Sequence, residues 1–518
     1  MVLAVAVTLV ANIIARASAL ASQIIVGLYL TDSQVGAFAM ALGINGFCCL
    51  LRSGGTSYYL PTLRAEEYDR RAGRYFAWGS AFAAFGAILT LAAAGIVPAM
   101  GWLQSAAEAP GLALSLVLLG LRHALAPLGM LARSRMAVNL RFGELAKLDT
   151  ASALLRVLIT WICAREGLGA LALVLPLCLA TALETGYCAL AAGLTRESFR
   201  WRGGSVRQMF ARMGWPMLIA SLTSMSLQCH YLIIGAMMPV ATLGVFYFAL
   251  QLTLQPVLVV GLAFQSVFAP LLARKRGNRD AETELISRVF MGSMLFVPIT
   301  TLSIGGLFPI VERLVWNGKW ADASIAVAWL SFGATFATAT SVLVGPLLGA
   351  RRFRSLAGIE LGRAAGVFGG AAIGSVTASV MPEQSHPMLQ PAAIVGAATA
   401  VGMTATSILQ LVRVMRHFGL APASIAYHLV YGPAVTGLAV VGAVSVARSA
   451  SDSFSLPPGA TGTAIELAIA TLVFAGITLL TFRTVAEDTV RSVAEILPAP
   501  YRSLYGKVML LGPATAPR

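Results

Sequence analysis

The sequence predicts an all-α polytopic membrane protein of about 14 transmembrane helices, built as two parallel six-helix lobes with a C-terminal helix pair. Three observations carry this expectation. Of 518 residues, 58% are hydrophobic and only 11% charged, with a mean hydropathy of +0.79; an ordinary soluble domain is roughly a quarter charged. The basic residues gather in alternate loops between long apolar runs. Motifs of the first half of the chain recur, in order, in the second.

A helix needs about 20 mostly apolar residues to cross the hydrocarbon core. The stretches that approach or exceed that length are 5–29, 35–58, 75–103, 111–133, 149–164, 168–192, 213–237, 243–269, 289–315, 323–348, 356–380, 391–411, 426–447 and 463–482. Each is expected to be helical, because only helices or closed barrels satisfy the backbone in lipid and no alternating strand pattern of barrel length occurs. The opening MVLAVAVTLVANIIARAS has no basic n-region and no clear small-residue cleavage site, so it reads as a first membrane helix and not as a removed signal peptide.

Loop charge supports this division. Arg64, Arg70, Arg71 and Arg74 follow the second stretch, Arg133, Arg135, Arg141 and Lys147 the fourth, and Arg196, Arg200, Arg202, Arg207 and Arg212 the sixth. Arg274, Lys275, Arg276 and Arg279 follow the eighth, Arg351, Arg352 and Arg354 the tenth, Arg413 and Arg416 the twelfth, and Arg483 stands in the tail. The intervening loops hold only Arg165, Arg313, Lys319 and Arg448. The positive-inside rule then puts both termini in the cytoplasm. The net charge of +15 is thereby topogenic and gives no footing for nucleic acid as a partner. The six cysteines lie within apolar segments without CxxC spacing, which indicates core packing and neither a disulfide framework nor a zinc site.

The repeat is read from two pairs of segments. IVGLYLTDSQVGAFAMAL (Ile25 to Leu42) aligns with IIGAMMPVATLGVFYFAL (Ile233 to Leu250), placing Gly27, Gly36, Phe38, Ala41 and Leu42 over Gly235, Gly244, Phe246, Ala249 and Leu250 at a constant separation of 208. NLRFGELAKLD (Asn139 to Asp149) aligns with ARRFRSLAGIE (Ala350 to Glu360) at 211, and Gly95 and Pro98 fall on Gly306 and Pro309 at the same spacing. An even number of helices per repeat keeps its orientation, so the lobes are expected to be related by an axis along the membrane normal. The expected organisation is a first lobe over 1–205, a second over 206–415, two additional transmembrane helices over 416–485 and a cytoplasmic tail over 486–518.

At these residues the chain resembles the polysaccharide flippases (Wzx-type lipid-linked oligosaccharide translocases) of the MOP superfamily, which also holds the MATE drug exporters and the lipid II flippase. GLYLTDSQVGAFAMAL (Gly27 to Leu42) is similar to the family's first-hairpin turn, and MAVNLRFGELAKLD (Met136 to Asp149) to its LxRxLRFxxLAxxE element. HYLIIGAMMPVATLGVFYFA (His230 to Ala249) is similar to the start of its second lobe, and WNGKW (Trp316 to Trp320) to a short FGxxW. The likeness runs from about residue 10 to about 420. Two places depart from the pattern: LRSGG (Leu51 to Gly55) puts Arg52 near a position usually acidic, and His230-Tyr231 stands where an Asp-Arg pair is usual.

Charge at bilayer depth is costly, so intramembrane ionisable groups are functional candidates. Arg16 lies about eleven residues into the first helix, roughly 16 Å along it. Arg122 and His123 fall midway along the fourth, and Arg52, Arg156 and Glu184 nearer the cytoplasmic half. His230 opens the second lobe's hairpin, and Gln228, Gln251, Gln255 and Gln265 could line a polar cavity or join helices. Arg16, Arg52, Arg122, His123, Glu184 and His230 are therefore the expected substrate-binding residues. Arg156 is set aside as a snorkelling or paired side chain.

No GxxxxGK[ST], HExxH or GxSxG occurs, so neither a P-loop ATPase nor a zinc or serine hydrolase is indicated, and no catalytic residue, metal or cofactor is expected. The resemblance implies a bacterial inner-membrane flippase that moves an undecaprenyl-pyrophosphate-linked oligosaccharide outward for polysaccharide or O-antigen assembly. It would do so by alternating access of its two lobes. Its partners would be that substrate, the membrane lipids, and a polysaccharide polymerase and chain-length proteins. A MATE-like cation exporter is the alternative within the fold, and a membrane-embedded polymerase or ligase the alternative of another class.

Overall fold

The chain's computed structural model describes residues 2–51, 54–60, 65–99, 111–200, 205–255, 278–349, 353–381, 390–417, 422–454, 457 and 459–484. Its regular elements are helical throughout: α1 (Val2–Tyr29), α2 (Asp32–Cys48), α3 (Thr56–Tyr59), α4 (Ala65–Ala99), α5 (Leu112–Val138), α6 (Phe142–Arg165), α7 (Leu171–Ala191), α8 (Val206–Ser224), α9 (His230–Met237), α10 (Val240–Gln255), α11 (Arg279–Trp316), α12 (Ala323–Gly349), α13 (Phe353–Val380), α14 (Pro391–His417), α15 (Pro422–Ser453) and α16 (Ala460–Thr484). Over their described residues, all fourteen expected stretches coincide with helix in order; 52–53, 100–103 and 256–269 lie outside the described residues. Ten of the described helices are long and apolar enough to cross a membrane. Large apolar side chains such as Leu190, Leu438 and Leu472 stand 88%, 74% and 72% exposed, as suits faces solvated by lipid.

Two stretches that read as single helices are interrupted. The second splits into α2 and α3, because Gly54 and Gly55 adopt positive φ (52° and 78°), a left-handed geometry that ends a helix and that side chains resist. The freed backbone is satisfied by side chains. Ser221 Oγ donates to the Leu50 carbonyl at 2.8 Å and Trp78 Nε1 to that of Gly54 at 3.2 Å. The seventh stretch carries a π-helical turn over Met225–Cys229, between α8 and α9.

The helices fall into two compact units. The first comprises residues 1–255 with 351–402. In it α1 packs along α6, α4 against α5, α7 against both α5 and α6, and α13 against α8, α9 and the π turn. Helix α2 starts from a capping box, in which Gln34 N–H donates to Thr31 Oγ1 and Thr31 N–H to Gln34 Oε1. It then approaches α10 through two reciprocal contacts. A Cβ placed on Gly36 would lie 1.9 Å from the Val240 carbonyl oxygen, and one on Gly244 would lie 1.9 Å from that of Asp32. Gly36 and Gly244 are repeat mates, and Asp32 and Val240 share the same separation of 208. The two contacts between α2 and α10 are therefore reciprocal at the 208-residue separation, as a local two-fold relation between these two helices produces.

The second unit comprises residues 256–350 with 403–518. Here α11 packs against α12, α15 and α16, and α15 against α16. Its apolar core joins Leu285, Val289, Phe290, Phe336, Leu411 and Met415. Polar ties hold its interior: Thr301 and Thr335 hydroxyls 2.7 Å apart, Glu312 Oε1 accepting from Trp320 N–H at 2.8 Å, and Arg313 bound to Glu466 at 2.9 and 3.1 Å. The last two helices thus pack on α11. The expected lobe boundaries at 205 and 415 concern sequence symmetry, on which a division by packing does not bear.

Candidate functional site

Charge near mid-length is carried in the first unit by α1, α5, α6 and α7, and by α13, where Arg363 pairs with Glu360 three residues before it at 3.1 Å. On α6, Ser152 and Arg156 are four residues apart and share a face, as do Thr181 and Glu184, three apart on α7. The two faces meet. Arg156 Nη2 lies 2.7 Å from Glu184 Oε1, and the Ser152 hydroxyl donates to the same oxygen. Arg122, on α5, donates from Nε to Thr181 Oγ1 at 2.8 Å, and the Thr181 hydroxyl in turn donates to the Leu177 carbonyl at 2.8 Å. Thr181 and Glu184 are separated by about 4.5 Å of helix rise, so the Arg122 and Arg156 guanidinium groups engage α7 within one turn of each other.

Arg16 joins from α1. It lies close enough to Arg156 for the two like charges to repel, and its Nε is buried with no hydrogen-bond partner. Arg156 Nε is in the same condition. The cluster therefore links Arg156 to Glu184, Arg122 to Thr181 one turn away on the same helix, and Arg16 to the neighbourhood of Arg156. The next basic group on α5, Arg133, does not draw on Glu184 as its main partner, because Asp149 takes it in a bidentate pair at 2.7 Å on both arms. At the start of α6, Arg141 clasps Glu144, with Nε 2.7 Å from Oε1. This hydrogen-bonded pairing raises Arg141 and holds the Glu144 carboxyl below the usual carboxylate range.

A mid-helix arginine costs about 2.5–3.5 kcal/mol on insertion scales, so an excess of arginines over carboxylates on neighbouring helices calls for a compensating anion or water. Planar guanidinium forks suit phosphate oxygens bidentately.

The other expected site residues lie elsewhere. His123, adjacent to Arg122, turns toward α2 and α4, with Nε2 2.7 Å from Asn45 Oδ1 and 3.0 Å from Cys49 Sγ. Cys49 Sγ also lies 3.6 Å from Thr90 Oγ1, and these four side chains form a buried polar knot joining three helices. His230 follows the π turn and is 1% exposed, against Tyr231 and Phe246 with ring centroids 4.0 and 6.0 Å away. Arg52 and Gln265 lie outside the described residues. Gln251 Nε2 donates to Tyr231 OH at 3.4 Å, and Gln228 packs over Gly46, so both act between helices. Arg156, Ser152 and Thr181 were not expected in the site. Their signal was available as i,i+4 and i,i+3 polar pairs on two apolar helices, but not which faces meet.

Solved structures share this architecture. The lipid II flippase MurJ in an inward closed conformation matches with a TM-score of 0.64 at 12% identity, over 92% of this chain and 98% of that one. A multidrug resistance MATE family transporter of the MOP superfamily, in an inward-facing conformation, matches at 0.51 and 12% identity, over 82% and 99%. A MATE crystal structure in complex with MaD5 matches at 0.52 and 15%, over 82% and 96%. At such identities the likeness establishes the fold, that of polytopic helical membrane transporters. A search of curated protein sequences gives no match. The sequence model described as polysaccharide biosynthesis protein covers residues 30–325, more than half of the chain, and the protein belongs to that family.

Proposed function

We propose that this protein is a flippase that carries an undecaprenyl-pyrophosphate-linked oligosaccharide outward across the bacterial inner membrane, for polysaccharide or O-antigen assembly. The observation that carries the reading is the surplus of guanidinium at mid-helix depth: Arg156 pairs with Glu184, while Arg122 rests on Thr181 one turn away and Arg16 lies near Arg156. Such a site attracts the diphosphate that joins prenyl chain and glycan, while the prenyl tail stays in lipid. A drug-cation exporter would want the opposite sign of charge. The family described as polysaccharide biosynthesis protein and a fold shared with a lipid II flippase support the same conclusion, as does the absence of hydrolase or nucleotide-binding motifs from the sequence.

In this reading the lobes, 1–205 and 206–415, rock about the cavity between them. The reciprocal Gly36–Val240 and Gly244–Asp32 contacts support the two-fold relation that such rocking needs. Both termini and the basic loops face the cytoplasm, the diphosphate meets Arg16, Arg52 and Arg122, and the glycan is handed to a polymerase and its chain-length partner. The test is genetic and chemical. Deleting the gene should abolish the surface polysaccharide and leave its prenyl-linked repeat unit accumulated on the cytoplasmic leaflet. Normal polysaccharide, together with lost efflux of a lipophilic cation, would instead establish the exporter.

A further inference from the structure

The contacts of Glu184 carry one step more, which rests on the diphosphate reading above. Glu184 is an acid in a site that attracts acids. Its Oε1 receives both Arg156 and Ser152 from α6, so the carboxylate sits where an anionic ligand of Arg156 would place an oxygen. The pair is not sealed within protein, with the Arg156 side chain 41% and that of Glu184 26% exposed. Other charges nearby do not occupy Glu184 in the same way. Arg133 feels it electrostatically but is held by Asp149, Arg122 rests on Thr181, and Arg16 reaches Arg156 as a repelling neighbour.

The geometry points to Glu184 as a built-in competitor, a carboxylate that stands in for the substrate's diphosphate at Arg156 when the site is empty and is displaced when the diphosphate arrives. A carrier must change conformation both loaded and empty. Without Glu184 the empty site would present unneutralised guanidinium groups at membrane depth, a state costly to close around. With it, the empty carrier is partly neutralised, and release of the diphosphate is assisted by a group ready to retake Arg156. Glu184 therefore lowers affinity and raises turnover. Arg16, with no carboxylate of its own among the described ion pairs, supplies attraction that Glu184 does not cancel.

The test separates affinity from rate. Farnesyl diphosphate, a short prenyl diphosphate, is titrated into the purified full-length protein, and flipping of a fluorescent prenyl-diphosphate-linked sugar is followed in proteoliposomes. Glu184→Gln is expected to bind farnesyl diphosphate about 3- to 10-fold more tightly, the effect of a partly exposed ion pair, with a lower KM and a kcat reduced by a similar factor. Glu184→Asp keeps the charge on a shorter arm and should fall between. Arg16→Gln and Arg156→Gln should weaken binding. Unchanged or weaker binding by a folded Glu184→Gln, while Arg16→Gln still binds less than wild type, overturns the competitor and leaves the flippase standing. If Glu184→Gln does not fold, Glu184→Asp decides alone, and affinity equal to wild type overturns the inference. Failure of the wild-type protein to bind or flip any prenyl diphosphate removes both readings.

Discussion

Replacing Gly36 or Gly244 by alanine gives an outcome that depends on the pairing of the two contacts. An alanine Cβ at either position would lie 1.9 Å from a backbone carbonyl oxygen, against an ordinary carbon–oxygen approach of about 3.3 Å, so α2 and α10 must part by about 1.4 Å. The obstacle is main chain and cannot rotate away, which puts the strain near the upper end of overpacking, about 3 kcal/mol. Alanine returns about 1 kcal/mol of helix propensity over glycine. Each single variant should therefore lose about 2 kcal/mol. The double variant needs only one separation, since parting the two helices relieves both contacts, yet gains propensity twice, so its loss should be only about 1 kcal/mol. Unfolding by SDS in mixed micelles, with wild type, both singles and the double compared, reads this ordering. A double loss of about 4 kcal/mol, the additive value to within about 0.5 kcal/mol, would refute the reciprocal contact and with it the structural support for a two-fold repeat.

Three further outcomes follow from the packing. His123→Leu leaves the buried Asn45 carbonyl the weaker Cys49 Sγ contact at 3.9 Å and should destabilise by about 1–3 kcal/mol, whereas the double variant with Asn45→Leu should recover part of that loss in the same titration; no recovery would dissolve the knot. In the second unit, Arg313→Ala leaves Glu466, 6% exposed, as an unpaired buried carboxylate at a cost of about 3–5 kcal/mol, so it should melt well below Glu466→Gln. Equal melting would show the pair to be solvated. The Glu144 carboxyl titrates below its unfolded value because of Arg141, so its contribution is complete above the ordinary carboxylate range and is lost as pH falls through the depressed folded value. Glu144→Gln should accordingly flatten the acid limb of stability against pH, and an unchanged limb would mean that the pair does not persist in solution.

The helical architecture was legible because membrane insertion imposes it: length, apolarity and alternating charge together mark each membrane-length helix, although α4, α6, α8 and α11 begin some seven to ten residues earlier, in the basic segments read as loops. The interruptions were less so. Gly54-Gly55 lay at the end of an apolar run, where it read as a terminus, and the π turn before His230 has no composition of its own among Met225, Ser226, Leu227, Gln228 and Cys229. Depth marked Arg16, Arg122 and Glu184 as candidates, since each is expensive wherever it faces. Partners were not legible. Asn45 and His123, 78 residues apart, form one knot because α2 happens to lie on α5, and Arg156 met Glu184 because α6 lies on α7. His123 and Arg122 are neighbours in sequence, yet the helix turns them toward different elements, one into a polar knot and the other into the cationic cluster.

The central claim is that the arginines of the first lobe hold the substrate's diphosphate, and it is tested most directly by flipping in proteoliposomes that contain Arg16→Ala, Arg122→Ala or Arg52→Ala. Each variant is expected to insert and purify as wild type does, yet to flip a prenyl-diphosphate-linked oligosaccharide at least about tenfold more slowly, the loss of one charge-assisted bond of about 1.4 kcal/mol or more. Lysine at the same positions should restore only part of the rate, because it keeps the charge without the fork. Wild-type flipping by all three alanine variants would contradict the account and leave these arginines as structural partners of their own lobe.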